Sequence, residues 1–283
     1  MEMGFIGLGS LGKAIAGRLI ETGVKLSVWN RSKSKAADIA AAVAVSPGEL
    51  ISKNSIVALC LSESGAVREV LEGEKGLLSG DVSGKFIIDH TTNHFDAVAG
   101  FHNQVRKAGG FYLEAPVLGS VIPASKGLLT VLVSGEKEAY EKMFPYFEKM
   151  GKNIFYMGEA ALATKMKLVN NLVLGNLMAV LAEAVAFGEA CGVERAKVIE
   201  ILSKGAGDSG VLNAKREKLL KEDFSPHFSS GMIHKDLHYL QDLARQMKRP
   251  LMTGSVIKEI FGMAIQDGLE KEDFSAVYKL FEE

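Results

Sequence analysis

Cysteine is scarce in this chain of 283 residues. The two present, Cys60 and Cys191, stand far apart and form no CxxC. That excludes a disulfide framework and reads as two reduced thiols of a cytosolic protein. An excess of either charge is missing as well. Lysine and arginine number 33 against 34 aspartates and glutamates, a net charge of −1, so no basic field draws in nucleic acid or an acidic membrane face. No basic n-region or cleavage site precedes Met3-Gly4-Phe5-Ile6, and a secretory signal is not expected. The longest uncharged apolar run, Leu168 to Ala182, holds three asparagines and a glycine. It is too short and too polar for a bilayer and reads as a buried helix. No nucleophile elbow of GxSxG type occurs. His234 and His238 stand four apart, but the glutamate of a zinc protease motif and a third ligand are missing, so no metal site is read. What remains is a cytoplasmic globular protein with neither nucleic acid nor membrane as partner.

Hydrophobic residues make up 47% and charged residues 24%, enough for a substantial core, and the length suits two domains. The first half alternates strand-like runs (Met3–Ile6, Lys25–Trp29, Ser55–Leu61, Lys85–Asp89, Gly110–Leu113, Leu128–Ser134, Asn153–Tyr156) with amphipathic stretches. The latter are Leu11–Glu21, Ser34–Ala42, Ser64–Leu71, Phe95–Ala108 and Glu136–Met150. Such alternation predicts a mostly parallel sheet covered by helices on both faces. Beyond residue 158 the strand signal stops. One long helix is expected over about 160–191, then helices at Glu194–Ser203, Val211–Lys221, Gly231–Met247, Met252–Gln266 and Phe274–Phe281. The fold class expected is α/β, a Rossmann-type domain over 1–159, plus an all-α domain over 160–283, joined by the long helix. A cleft along the start of that helix is where chemistry is expected.

Residues Gly7-Leu8-Gly9-Ser10-Leu11-Gly12 form a GxGxxG between the first strand and the first helix. The first glycine permits a tight turn, the second lets backbone approach a pyrophosphate, and the third lets helix pack on strand. The helix N-terminus then offers N–H groups to phosphate. An acidic residue at the end of the second strand would bind a ribose 2′-hydroxyl. None is there: Asn30, Arg31 and Ser32 follow Trp29. Arg31 can stack on adenine and pair with a 2′-phosphate, so NADP(H) is expected in preference to NAD(H).

On the long helix, Lys167 and Asn171 are four apart and share a face. A lysine beside an apolar cleft loses hydration and becomes able to give or take a proton near neutrality. Asn171 could orient the reacting oxygen. An exposed lysine near a helix start is the plain alternative.

At these residues the chain resembles the β-hydroxyacid dehydrogenase family, which includes 3-hydroxyisobutyrate dehydrogenase, tartronate semialdehyde reductase and the plant-type glyoxylate/succinic semialdehyde reductases. The resemblance runs the full length. It rests on Phe5 to Gly12, on Asp89-His90-Thr91-Thr92 (the family's Asp-x-Ser-Thr) and on Glu114-Ala115-Pro116-Val117-Leu118-Gly119-Ser120, similar to its substrate loop. Lys165 to Asn171 matches its catalytic helix and Lys235-Asp236 its late Lys-Asp pair. Trp29-Asn30-Arg31-Ser32 is most similar to the NADP-using glyoxylate/succinic semialdehyde branch. The resemblance implies Lys167 as acid/base with Asn171 as its partner, and Thr92 near nicotinamide and substrate. It implies Gly119-Ser120 amides for the substrate carboxylate, Phe228 and Asp236 lining or orienting the site, and Lys235, Leu61 and Ser62 near cofactor. Leu118 replaces the family's serine, removing a hydroxyl donor worth on the order of 1.5–3 kcal/mol toward a charged group, unless Ser120 supplies one from two residues along. The reaction implied is hydride exchange between NADP(H) and a small aldehyde or keto acid and its hydroxyacid, in a homodimer or homotetramer. Imine reductases and 6-phosphogluconate dehydrogenases share the architecture; the first usually lack the lysine and the second have a larger helical domain. A non-catalytic dinucleotide-binding scaffold is the alternative of another class, against which Lys167 and Asn171 count.

Overall fold

A computed structural model describes residues 2–282, in two compact units, the first ending at Lys167 and the second beginning at Leu168. The strands are β1 (Glu2–Ile6), β2 (Lys25–Trp29), β3 (Ala42–Val43), β4 (Ile56–Leu59), β5 (Phe86–Asp89), β6 (Phe111–Glu114), β7 (Val117–Leu118), β8 (Leu129–Ser134) and β9 (Gly151–Gly158). They form one sheet in the order β3-β2-β1-β4-β5-β6-β8-β7, with β9 paired to β8. From β3 through β6 every pairing is parallel; β8 runs antiparallel to β6 and β7. Alternate residues of each strand feed opposite cores. Met3, Phe5, Ala58 and Ile88 join one face, and Ile6, Val57, Leu59 and Ile87 join the other. Strands buried on both faces must be apolar throughout, as this one-after-another pattern requires.

After β1 the chain builds outward to β2 and β3, then returns to lay β4 on the other side of β1. The strand order therefore reverses between β1 and β4, the place where a doubly wound sheet opens a crevice at its carboxyl edge. Both connections leave from that edge and crowd each other. Gly7 has φ +97°, and a Cβ on it would lie 2.2 Å from the Cys60 carbonyl oxygen. A Cβ on Gly12 would lie 2.0 Å from the Gly7 carbonyl oxygen. These glycines are dictated by the fold itself.

One expected helix is absent. Residues 34–42 form only a 3₁₀ turn, Lys33–Ala36, and then bends leading into β3. The segment is rich in alanine and only Ala36 is fully buried, so it has no apolar stripe to repay helix nucleation. Its end is taken instead by pairing of Ala42–Val43 with Ser27–Val28. A helix over Pro47–Lys53, capped by Ser46, was not foreseen.

The second unit is all helical: the rest of Leu162–Ala190, then Arg195–Leu202, Gly210–Lys221, Ser230–Gln246, Met252–Gln266 and a 3₁₀ helix, Phe274–Phe281. The whole helix, 29 residues long, could by length and composition alone cross a membrane. Burial decides its place. Leu168, Asn171, Met178, Ala182 and Val185 are wholly buried, and a Cβ on Gly175 would meet Ile257, Leu237 and Phe261. It is a core helix of a helical unit.

Gly12→Ala should lower stability by about 1–3 kcal/mol, the usual penalty of forcing a methyl into closed packing. Urea denaturation is the measurement, and an unchanged midpoint would mean that the Gly7–Gly12 approach is not as close as described.

Candidate functional site

The glycine-rich turn offers a cradle at the carboxyl edge of β1. Leu8 N–H donates to Asn30 Oδ1 at 2.8 Å, and Asn30 Nδ2 donates to the Ser32 carbonyl at 2.9 Å. Asn30 thus ties the turn to the end of β2. Gly9, the N-cap residue of the helix Ser10–Glu21, offers no side chain to cap it, and the first helical turn carries no acid. Unlike its neighbours, Gly9 has ordinary φ, and a Cβ on it would meet nothing within 4 Å. Nothing inside the protein demands glycine there; a group pressed against the turn from outside would. Arg31 and Ser32 are exposed, and Arg31 makes no ion pair among the described residues. The residues present fit a dinucleotide, whose pyrophosphate the uncapped turn at Gly9 would hold.

Next along the carboxyl edge, Asp89 is completely buried at the end of β5. It accepts from Thr91 N–H at 2.9 Å, Asn93 Nδ2 at 2.7 Å and Tyr112 Oη at 2.5 Å. Burial raises its carboxyl above the ordinary range against those donors. Thr91 Oγ1 in turn accepts from Leu61 N–H at 2.9 Å, stitching the end of β5 to the end of β4. His90 bridges the Ala115 carbonyl at 2.8 Å and Tyr146 Oη at 2.6 Å. Burial pushes it down to about 4, so it is a neutral strut. Cys60, half-buried by area yet packed round by protein, is pushed up to about 12 and is an inert thiol.

Beyond β6, Val117–Leu118 is a strand rather than a loop, Leu118 pairing with Thr130; Gly119 follows at φ +114°. Lys167 is 8% exposed and its Nζ donates to the Val117 carbonyl at 2.9 Å. The ammonium group thus lies one residue from Leu118, not out in water. The start of its helix is held by the sheet: Ala163 N–H donates to Ser134 Oγ at 3.0 Å and Thr164 N–H to Glu114 Oε2 at 3.1 Å. The Thr164 hydroxyl also donates to Glu114. Burial pushes the Glu114 carboxyl up to about 7, with Thr164 opposing and Asp89 adding to the rise. Its other oxygen faces His102 Nε2 at 4.0 Å, too far for a hydrogen bond, and both atoms are buried without one.

In the second unit, Asn171 is wholly buried and donates to Asp236 Oδ2 at 2.6 Å, while Lys235 Nζ donates to Asp236 Oδ1 at 2.8 Å. Asn170 Nδ2 donates to Asn171 Oδ1 at 3.2 Å. One carboxylate therefore gathers Asn171 and Lys235, which stand far apart in sequence. Phe228 is not part of this cluster; its N–H donates to Asp273 and its ring packs edge-on against Phe274. Among the described residues no group of three or more His, Cys, Asp or Glu side chains gathers as a metal would need.

Within the first unit, then, Gly7 to Gly12, Asn30 to Ser32, Leu61 and Thr92 all lie on the carboxyl edge of the sheet, and Lys167 reaches Val117. Sequence reasoning missed Asp89, Thr91 and Glu114 as organising groups. They stood inside two of the quoted motifs, and a further signal was a charged residue closing an otherwise apolar strand, Phe-Ile-Ile-Asp and Phe-Tyr-Leu-Glu.

Residues 2–158 match the family model described as the NAD binding domain of 6-phosphogluconate dehydrogenase. Residues 161–281 match that of the NAD-binding of NADP-dependent 3-hydroxyisobutyrate dehydrogenase. The chain is 32% identical to the chloroplastic glyoxylate/succinic semialdehyde reductase 2 of Arabidopsis thaliana over 280 residues, 98% of this chain and 78% of that one. It is 31% identical to human cytokine-like nuclear factor N-PAC over 284 residues, 99% of this chain but only 51% of N-PAC. Among solved structures, Psf3 in complex with NADP+ and 2-OPP superposes with a TM-score of 0.91 at 27% identity, covering 98% of this chain and 99% of that one.

The Glu114 carboxyl makes stability depend on pH. Its value near 7 in the fold lies above the ordinary 4.5, so the fold favours the neutral form. That contribution is complete below the ordinary value and is lost as pH rises through about 7, a change of about 3 kcal/mol. His90 and His102, both held near 4 from 6.5, act in the opposite sense: their contribution is present above 6.5 and lost as pH falls through 4. Glu114→Gln isolates the first effect. Measured against the unmodified protein by denaturant titration, the variant should gain about 3 kcal/mol in relative stability between acid and neutral pH. A difference that stays constant with pH would show an ordinary carboxyl.

Proposed function

Because the chain belongs to the 3-hydroxyisobutyrate dehydrogenase-like β-hydroxyacid dehydrogenase family, and is therefore an NAD(P)-dependent oxidoreductase, we propose that it uses NADP(H) to interconvert a small aldehyde or keto acid and its hydroxyacid. Succinic semialdehyde and glyoxylate are the first substrates to try, by analogy with the Arabidopsis relative's name. The single observation that carries this reading is the Lys167 ammonium, buried and hydrogen-bonded to the Val117 carbonyl beside Leu118. A lysine buried this deeply is expensive for stability alone.

When bound, the reduced nicotinamide supplies the hydride. The chain's own residues handle charge and position. Gly9 and the N-terminus of the Ser10–Glu21 helix receive the pyrophosphate, with Leu61, Ser62, Thr92 and Lys235 as further cofactor contacts. Arg31, with Asn30 and Ser32, receives the 2′-phosphate. The Gly119 and Ser120 amides take the substrate carboxylate. Lys167 gives a proton to the carbonyl oxygen during reduction and takes one from the hydroxyl during oxidation. The Val117 carbonyl, by accepting from the ammonium form, holds that group at the reacting end of the loop. Asn171, four residues on in the sequence, steadies the oxygen. Leu118, Phe228 and Asp236 shape the substrate's surroundings. A homodimer or homotetramer is expected: Val173, Val180 and Phe187 leave 54%, 59% and 71% of their surface exposed along the long helix, an apolar stripe that a second copy would cover. The protein is expected to work in the cytoplasm.

The likeness to N-PAC, which is named as a nuclear factor and not as an enzyme, supports a second reading, a dinucleotide-binding scaffold without turnover. Mixing the protein with NADPH and each small aldehyde acid while following cofactor absorbance separates the two: binding with no turnover on any of them would favour the scaffold. Two substitutions sharpen the test. Lys167→Ala should lower kcat by about 100-fold or more with NADPH affinity retained; unchanged kcat removes the acid/base role. Arg31→Ala should weaken NADPH by roughly 10-fold or more, the worth of a charge-assisted bond, while leaving NADH nearly unaffected. Equal losses would place the 2′-phosphate elsewhere.

A further inference from the structure

The buried Glu114 carboxylate takes no part in the chemistry above, and an apolar side chain of the same size would fill its place with less desolvation. Three observations say what it does. The helix Leu162–Ala190 is entered through Ala161 at φ +71°, a backbone conformation rarely adopted by residues other than glycine. Two of its first amides are taken by the sheet, Ala163 N–H by Ser134 Oγ at 3.0 Å and Thr164 N–H by Glu114 Oε2 at 3.1 Å. Thr164 comes three residues after Ala161, so this carboxylate grips the helix just beyond the strained turn. Finally, Lys167 follows Thr164 by one helical turn, and Val117 follows Glu114 by three residues. The segment 114–117 therefore holds two successive turns of the helix, Glu114 at Thr164 and Val117 at Lys167.

We propose that Glu114 is a positioning residue for Lys167: by holding Thr164 just beyond the Ala161 turn, it sets the rotation of the first helical turn and with it the place of the ammonium group beside Leu118. The inference rests on Lys167 being the acid/base. Leverage makes the hold consequential. With side-chain tips roughly 6 Å from a helix axis, a rotation of about 20° moves such a tip by about 2 Å. A misplacement of about 1 Å at a reacting group can cost roughly 100-fold in rate. The charged and titratable groups near Glu114 are Asp89, in register on β5, and His102 at 4.0 Å, with Arg106 acting on His102. None of them can replace the hold on Thr164, because none is bonded to it.

Glu114→Leu fills the space without an acceptor; Glu114→Gln keeps one acceptor oxygen for Thr164 and gives up the charge. Steady-state kinetics with NADPH and a small aldehyde acid should show kcat falling about 10- to 100-fold in Glu114→Leu at a nearly unchanged KM for NADPH, with Glu114→Gln recovering most of it. Amide hydrogen exchange over residues 161–167 should quicken about 10-fold or more in Glu114→Leu and little in Glu114→Gln. A Glu114→Leu enzyme with unmodified kcat or protected amides overturns the proposal. So does a Glu114→Gln enzyme as impaired as Glu114→Leu. Should the leucine variant fail to fold, the cycle of Glu114→Met with Thr164→Val decides: non-additive losses in kcat support the hold, additive ones overturn it. Exchange reads the hold without reference to turnover. Fast exchange in Glu114→Leu beside a fully active Lys167→Ala would sink the acid/base reading while leaving Glu114's grip on Thr164 in place.

Discussion

Two carboxylates buried side by side govern the carboxyl edge of the sheet. Asp89 and Glu114 are in register on adjacent parallel strands, and both are essentially without solvent exposure. Burial raises both acids above the ordinary carboxylate range, and out of water each still needs hydrogen-bond partners. The donors recruited are the parts of the chain that make the site. Asp89 draws in Thr91, Asn93 and Tyr112, and through Thr91 fixes Leu61. Glu114 draws in the first turn of the long helix. Loops that would otherwise wander are thus set by the need to satisfy two acids, while the apolar cores on either face supply stability and little orientation.

How much of this was legible beforehand follows from the range over which each signal acts. The Gly-rich turn was plain because its demands are local: a positive φ at Gly7 and a backbone approach at Gly12 are written in consecutive residues. The alternating strands and helices were plain because burial on two faces leaves a pattern several residues long. β3 and β7 were not, since two residues have no periodicity, and each exists only because a longer strand lies beside it. The segment 34–42 misled because alanine favours helix intrinsically, yet a helix without an apolar stripe gains nothing from docking.

The site shows the same division. Lys167 stood out by chemistry, as a cation entering an apolar run. That its partner is the Val117 carbonyl, 50 positions away, could not be read from spacing. Asp236 was expected to line the site; its joining of Asn171 to Lys235 is a meeting of two helices that only packing reveals. Thr92 drew notice as the last residue of a motif. It is Thr91, beside it, whose hydroxyl ties two strand ends together. In each case the residue type was informative and its partner was not, because the partner arrives by tertiary contact.

The long helix carries the strongest physical reason to connect these pieces to function. It is an apolar helix, yet in its first turns Thr164 and Lys167 are buried at 0% and 8% exposure. Their spacing of three places them one above the other on successive turns. Each needs its own polar partner, and each has one: Glu114 and the Val117 carbonyl. Helix stability alone would favour leucine or alanine at both positions, since a buried polar group at best breaks even against a well-packed apolar one. Two such groups on one helix, each met by a partner from the sheet, are poorly accounted for by packing.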